Sequence, residues 1–135
     1  MEAGPWGDVL TLQAMKLGIA GLVISGCVGD ANLIIELGFP GFCRGLSIKG
    51  TGKNQPGKIN VPICIGDAVI HPGDIIVGDR DGLVVVAQDD VDMAIANSIA
   101  REDKEVQQRK AIEAGSSNTV ELLNLGDTLK RFGLV

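Results

Sequence analysis

The sequence predicts an α/β domain, and three observations carry that expectation. Two helix-like segments alternate with two short apolar runs between Asp8 and Cys43, the order that gives a parallel sheet with helical crossovers. Short β-type runs separated by turn residues then fill the stretch up to Val86. The remainder switches to helical spacing, and the breakers record the switch. Of the 19 glycines, 16 lie between Gly4 and Gly82, and all five prolines fall at or before Pro72.

Asp8 to Leu17 carries Leu10, Ala14 and Leu17 on one face with Gly18 just past its end, which predicts a helix. Gly21 to Ile24 reads as a short strand buried on both faces. Ser25-Gly26-Cys27-Val28-Gly29 reads as a loop into a second helix over Asp30 to Leu37, with Asp30 placed to cap it and Gly38 to end it. Phe39 to Cys43 resumes as a strand. Ile59, Val61, Ile63 and Ile65 alternate with Asn60, Pro62 and Cys64, predicting a strand with one buried face and, because of Pro62, a place at a sheet edge. Ala68–Ile70 and Asp74–Val77 flank His71-Pro72-Gly73, where Pro then Gly favours a type II turn. Asp79-Arg80-Asp81-Gly82 returns the chain into Leu83–Val86, so this region reads as antiparallel or barrel-like strands.

One long helix is predicted from Asp89 or Asp90 to about Ala114. Val91, Ile95 and Ile99 recur at four-residue steps and are expected to pack on the sheet. Arg101 to Glu105 is charged all round, which fits either a solvated helix end or a surface against a neighbouring subunit. Gly115-Ser116-Ser117-Asn118 stops the helix, and a tail with Leu122, Leu123 and Leu125 follows. The expected organisation is a single domain over 1–135: a glycine-rich α/β core (1–88), the long helix (89–114) and a tail (115–135).

Composition narrows the function. The net charge of −5 gives no basic footprint for nucleic acid, and aromatics at 3% offer no stacking platform for bases. Apolar runs such as Leu83–Ala87 are too short to span a bilayer, and Met1–Asp8 lacks the basic start of a signal peptide. A cytoplasmic protein without nucleic-acid or membrane partners is the expectation. Cys27, Cys43 and Cys64 form no CxxC pair, which fits a reducing compartment and small buried hydrophobes. His71 is the one histidine, so a histidine-rich zinc site and a Ser-His-Asp triad are both disfavoured. A metal here would be a hard cation held by carboxylates and water. Lys49-Gly50-Thr51-Gly52-Lys53 is not a phosphate loop. Ser47 stands where its first glycine is needed, and Asn54 where Ser or Thr would hold Mg²⁺.

Two glycine-flanked acids are better placed. Gly26-Cys27-Val28-Gly29 precedes Asp30, and Gly7 precedes Asp8, each at a predicted helix start that offers free N–H groups to an anion. Asp8 and Asp30 read either as helix-capping aspartates or as ligands sharing one divalent cation.

Several motifs in fixed order carry a resemblance. They are Gly4-Pro5-Trp6-Gly7-Asp8-Val9-Leu10-Thr11, Gly18-Ile19-Ala20-Gly21-Leu22-Val23-Ile24, Gly26-Cys27-Val28, Leu37-Gly38-Phe39-Pro40 and Phe42-Cys43-Arg44-Gly45. Gly73-Asp74 and Gly78-Asp79-Arg80-Asp81-Gly82-Leu83-Val84-Val85-Val86 follow. Together they resemble the family of 4-hydroxy-4-methyl-2-oxoglutarate aldolase, oxaloacetate decarboxylases and the regulator of ribonuclease activity A, over about Gly4 to Gly115. The resemblance implies a swivelling β/β/α-type domain, truncated at the N-terminus and ending in a long C-terminal helix. It implies homo-oligomers, trimers or hexamers, with sites at subunit interfaces. It further implies Mg²⁺ or Mn²⁺ as cofactor, small 2-oxo acids (4-hydroxy-2-oxo diacids or oxaloacetate) as substrates and pyruvate as product. Carried over residue by residue, the metal ligands are Asp30 and Asp8, and Gly7, Asp8, Gly26, Cys27, Val28 and Gly29 line the substrate site.

Two departures stand out. The family arginine that holds the substrate carboxylate falls on Gly29, and a frequent family aspartate falls on Ser25. Loss of one charge-assisted bond costs about 1.5–3 kcal/mol. The expectation is therefore a metal-dependent lyase with reduced or lost activity. The alternative is a non-catalytic protein-binding regulator on the same fold. The elements that precede Gly4 in the family are absent, which predicts an uncovered sheet side and oligomerisation.

Overall fold

The computed structural model describes residues 3–134, and the chain divides into two compact units, Met1–Pro72 and Gly73–Val135. In the first, α1 (Asp8–Lys16), β1 (Leu22–Val23), β2 (Cys27–Val28), α2 (Ala31–Glu36), β3 (Gly41–Phe42) and β4 (Gly45–Leu46) follow in order. The expected alternation is present, and its strands are parallel: Leu22 pairs with Gly41 and Cys27 with Gly45. Each helix ends on a glycine with positive φ, Gly18 at 74° and Gly38 at 68°, where a side chain would be strained.

Ser25–Gly29, read as a loop, contains β2, and Gly45–Leu46 is a strand the sequence reading passed over. The register explains both. The pairing offset is 19 residues in β1–β3 (Leu22 to Gly41) and 18 in β2–β4 (Cys27 to Gly45), so three residues, Ile24 to Gly26, oppose two, Cys43 and Arg44. Ile24 N–H donates to Phe42 O at 2.9 Å, and Arg44 N–H to Gly26 O at 2.8 Å, on either side of the extra residue. The two ladders are one parallel ribbon interrupted by a bulge, which turns the strand and interrupts its apolar alternation.

The core of this unit is small. Ala14 of α1, Val28 of β2, Ile34 of α2 and Phe39 form it, with Trp6, Leu22 and Ile24 packed against it. Trp6 stacks on Phe39 at 6.4 Å between ring centroids and 9° between planes. Thr11, fully buried, accepts from Trp6 Nε1 at 2.8 Å and donates to Gly7 O at 2.9 Å. These bonds tie the segment before α1 to the helix itself.

The expected strand over Ile59–Ile65 shrinks to β5 (Ile63–Ile65), antiparallel to β6 (Ala68–Ile70). Asn60 has φ +53°, which breaks the extended run, and Ile59 is 87% exposed. The alternation there does not bury a face.

In the second unit, β7 (Ile75–Gly78) and β8 (Leu83–Val86) pair antiparallel, as expected. Their turn is closed by Asp79, whose carboxylate accepts from Asp81 N–H at 2.8 Å and Gly82 N–H at 3.3 Å. A 3₁₀ turn (Gln88–Asp90) leads into α3 (Val91–Glu113), the predicted long helix; α4 (Thr119–Leu122) and α5 (Gly126–Arg131) lie within the expected tail. Val91, Ile95 and Ile99 do lie beside Ile75, Val77 and Val86, but the faces enclose an apolar groove of about 400 Å³ and no α3 residue is buried. The expected packing of this stripe is therefore incomplete. The charged stretch of α3 pairs along its own axis, Arg101 Nε with Glu105 Oε1 at 2.9 Å and Arg109 Nη1 with Glu105 Oε2 at 3.6 Å. Among the described residues no helix is long and apolar enough to cross a membrane.

Candidate functional site

β2 runs directly into Gly29 and Asp30, and β4 into Ser47, so these residues lie beyond the carboxyl ends of a parallel pair. Ligands bind at such strand ends in open α/β sheets. Ser47 N–H donates to Val28 O at 3.0 Å, extending the ladder by one bond, and Gly29 N–H donates to Trp6 O at 2.7 Å. Gly4 N–H donates to Lys49 O at 2.8 Å. The segment Gly4–Gly7 is thus held against both strands, and the α1 start is fixed beside the end of β2.

The Asp30 side chain does not cap α2, which removes one of the two roles the sequence offered for it. Its backbone is left-handed (φ 50°, ψ 36°), and its side chain makes no bond to its own helix. The carboxylate reaches across to α1 instead. Oδ2 accepts from Asp8 N–H at a long 3.5 Å, and a Cβ built on Gly7 would collide with the same oxygen. The N-cap of α1 is Gly7, without a side-chain bond, and Asp8 is the acid of its first turn. The other capping assignment thus fails as well. Two carboxylates, 22 residues apart, share one helix start. The positive end of α1 favours both charges there. A left-handed aspartate is tolerated at low steric cost, and holding one at a strand end marks a position where the side-chain direction matters.

The remaining predicted residues divide by what they expose. Cys27 and Val28 are buried, with Val28 in the core and also along the groove beside Asp30. Gly26 is partly buried, and its carbonyl is taken by Arg44 N–H. Gly29 has no positive φ, and a Cβ there would sit 3.4 Å from Ser47 O, an ordinary contact. Cys43 and Cys64 are exposed free thiols, contrary to the expectation of burial, which only Cys27 meets.

Beside Asp30 lies an open groove of about 280 Å³. Leu33, Leu46 and Ile48 form its apolar walls, with Asn32 and Ser47 as neutral polar groups. Among the described residues, Asp30 is the only ionisable side chain in that lining. Sequence reasoning missed these wall residues, because Leu46 and Ile48 follow the bulge and no pattern flags them. Among the described residues no three His, Cys, Asp or Glu side chains converge on one point. A zinc-type cage is therefore not available here. Two exposed or half-exposed carboxylates are what a Mg²⁺-type ion uses, since it keeps several waters and borrows substrate oxygens. The donor set at Asp8 and Asp30 fits a hard divalent cation.

Fold and site together define an α/β protein with an acidic strand-end site. The chain belongs to the RraA-like family, described as Aldolase/RraA, whose model matches residues 1–85. It is 38% identical over 106 residues to a protein of Halalkalibacterium halodurans that carries the provisional name 4-hydroxy-4-methyl-2-oxoglutarate aldolase, covering 78% of this chain and 50% of that one. The crystal structure of an uncharacterised protein from Pseudomonas syringae pv. tomato superposes with a TM-score of 0.81 at 34% identity, covering 89% of this chain and 56% of that chain. Streptomyces coelicolor RraAS2, described as an unusual member of the RNase ES inhibitor RraA protein family, superposes at 0.75 with 31% identity, over 81% of this chain and 56% of that chain. The chain thus spans about half the length of these relatives.

Proposed function

We propose that this chain carries the metal-binding half of a divalent-cation-dependent carbon–carbon lyase that releases pyruvate from oxaloacetate or 4-hydroxy-2-oxo diacids. One observation carries the reading: the Asp30 carboxylate, set by a left-handed backbone, lies over the α1 start beside Asp8. Asp30 and Asp8 would hold Mg²⁺ or Mn²⁺, Asp30 directly and Asp8 directly or through water. When bound, the cation supplies Lewis-acid stabilisation of the negative charge that develops on the 2-oxo acid as the bond breaks. The chain's own part is positional. The Trp6–Thr11–Gly7 bonds fix the α1 start, and Gly7, by lacking a side chain, leaves room for the Asp30 carboxylate beside it. The aldolase name carried by relatives such as the H. halodurans protein supports the lyase class.

A second reading, a non-catalytic binder, is favoured by Gly29 in the arginine position and by the likeness to RraAS2. Asp30→Asn separates the two. Asn accepts the left-handed backbone and keeps the side-chain oxygen, so stability changes by less than about 0.5 kcal/mol. The lyase reading expects Mn²⁺ binding by calorimetry, and Mg²⁺-dependent pyruvate release from oxaloacetate, in the native protein and neither in the variant. A folded native chain that binds no Mn²⁺ and releases no pyruvate leaves the binder.

A further inference from the structure

We propose that Trp6 is a positioning residue for the divalent cation: it ties the element bearing Asp8 to the element bearing Asp30 and so sets the spacing of the two carboxylates. The inference rests on the lyase reading above and deepens its cation site. A cation shared by carboxylates 22 residues apart needs the start of α1 and the end of β2 at a fixed separation. Mg²⁺ demands near-octahedral geometry at short range, so a small shift of either element is felt in affinity.

Trp6 is bonded to both elements. Its carbonyl accepts from the N–H of Gly29 at 2.7 Å, one residue before Asp30. Its indole Nε1–H donates to Thr11 Oγ1 at 2.8 Å, and the Thr11 hydroxyl donates to Gly7 O at 2.9 Å, one residue before Asp8. Gly7 O also accepts the Thr11 N–H at 3.0 Å, the first helical bond of α1. The ring stacks on Phe39, which shares the core with Ile34 of α2, the helix that Asp30 precedes. Packing against Phe39 asks only for an aromatic ring. The indole adds a directed bond. Thr11 has one hydroxyl proton, which goes to Gly7 O, so its oxygen is left to accept from the indole and the order of the relay is fixed. Trp6 acts on the carboxylates through Gly29, Thr11 and Gly7. Outer partners of this kind orient metal ligands, and losing one costs about ten- to a hundredfold in metal affinity.

Mn²⁺ calorimetry on the full chain tests this, with a urea titration of each variant to show that it is folded under the conditions used. Trp6→Phe keeps an aromatic ring and the carbonyl to Gly29, and removes the indole N–H. Thr11→Val removes the acceptor from the other side, whereas Thr11→Ser keeps both bonds. Trp6→Phe and Thr11→Val are each expected to weaken Mn²⁺ binding at least about tenfold, and the double variant to bind no more weakly than the weaker single. Thr11→Ser is expected to bind as the native chain does. Ile34→Val loosens the same core without touching these bonds, and is expected to leave the affinity unchanged. Native affinity in a folded Trp6→Phe or Thr11→Val protein overturns the proposal and leaves the lyase reading standing. An equal loss in Thr11→Ser or Ile34→Val also overturns it, because the effect is then one of packing. If Trp6→Phe does not fold, the two Thr11 variants decide alone. A native chain that binds no Mn²⁺ overturns the proposal and the lyase reading together.

Discussion

Asp30 shows how a residue can be legible in type while one of its two possible roles, the cap, is set aside by the structure. A helix-start aspartate preceded by glycine is the usual pattern of a cap, yet this one points its carboxylate at a different helix. Two substitutions test that placement. Gly7→Ala puts a methyl group where Asp30 Oδ2 lies, and the carboxylate, being the end of a flexible side chain, must swing away. Mn²⁺ affinity is expected to fall at least about tenfold while stability drops by no more than roughly 1 kcal/mol, since alanine is only a poorer N-cap. Unchanged affinity on titration would place the cation elsewhere. Gly29→Arg is the converse. The backbone there is not left-handed and a Cβ would make an ordinary contact with Ser47 O, so an arginine fits, and its guanidinium would stand next to Asp30. Mg²⁺-dependent decarboxylation of oxaloacetate should rise by at least about tenfold, the worth of one charged hydrogen bond. A well-folded variant without that gain means that the missing arginine does not limit the site.

Among elements, the segment before α1 matters more than its lack of regular structure implies. Thr11 is 0% exposed and joins the Trp6 indole to the Gly7 carbonyl, so it holds the site's helix start to the core. Thr11→Val keeps the volume but leaves the indole N–H without its acceptor, a loss of about 1–3 kcal/mol. Thr11→Ser retains both bonds and is expected to lose less, which a pair of urea titrations can read. A different outcome belongs to α3. Ile99 is 57% exposed beside an open groove, so Ile99→Ala should cost under about 1 kcal/mol, against 2–5 kcal/mol for a packed isoleucine. A larger loss by denaturation would mean that another surface covers this stripe in solution.

For the whole molecule, the balance of apolar residues is the telling quantity. Buried hydrophobics among the described residues are Ala14, Cys27, Val28, Ile34 and Phe39, while Val9, Leu17, Ile35, Val77, Ile95 and many others remain exposed. Exposed apolar surface on this scale favours association. Sedimentation at micromolar concentration is expected to give a dimer or larger; a lone 14.1 kDa species would contradict this. By itself, the sequence determined the alternation of α1, β1, α2 and β3, the hairpin of β7 and β8 and the length of α3. Each of these follows from local signals: apolar spacing, a glycine stop, a turn of Asp and Gly. It also singled out Asp8 and Asp30, because short glycine-flanked acids at helix starts are visible in one dimension. Only the tertiary structure decided where the Asp30 carboxylate points, since that depends on the left-handed backbone and on a helix 22 residues away. It alone placed β2 opposite β4, because a bulge shifts the register by one and breaks the alternation that sequence reading relies on. It alone denied burial to Ile59 and Ile95, because periodicity fixes which residues share a face but not whether anything covers that face.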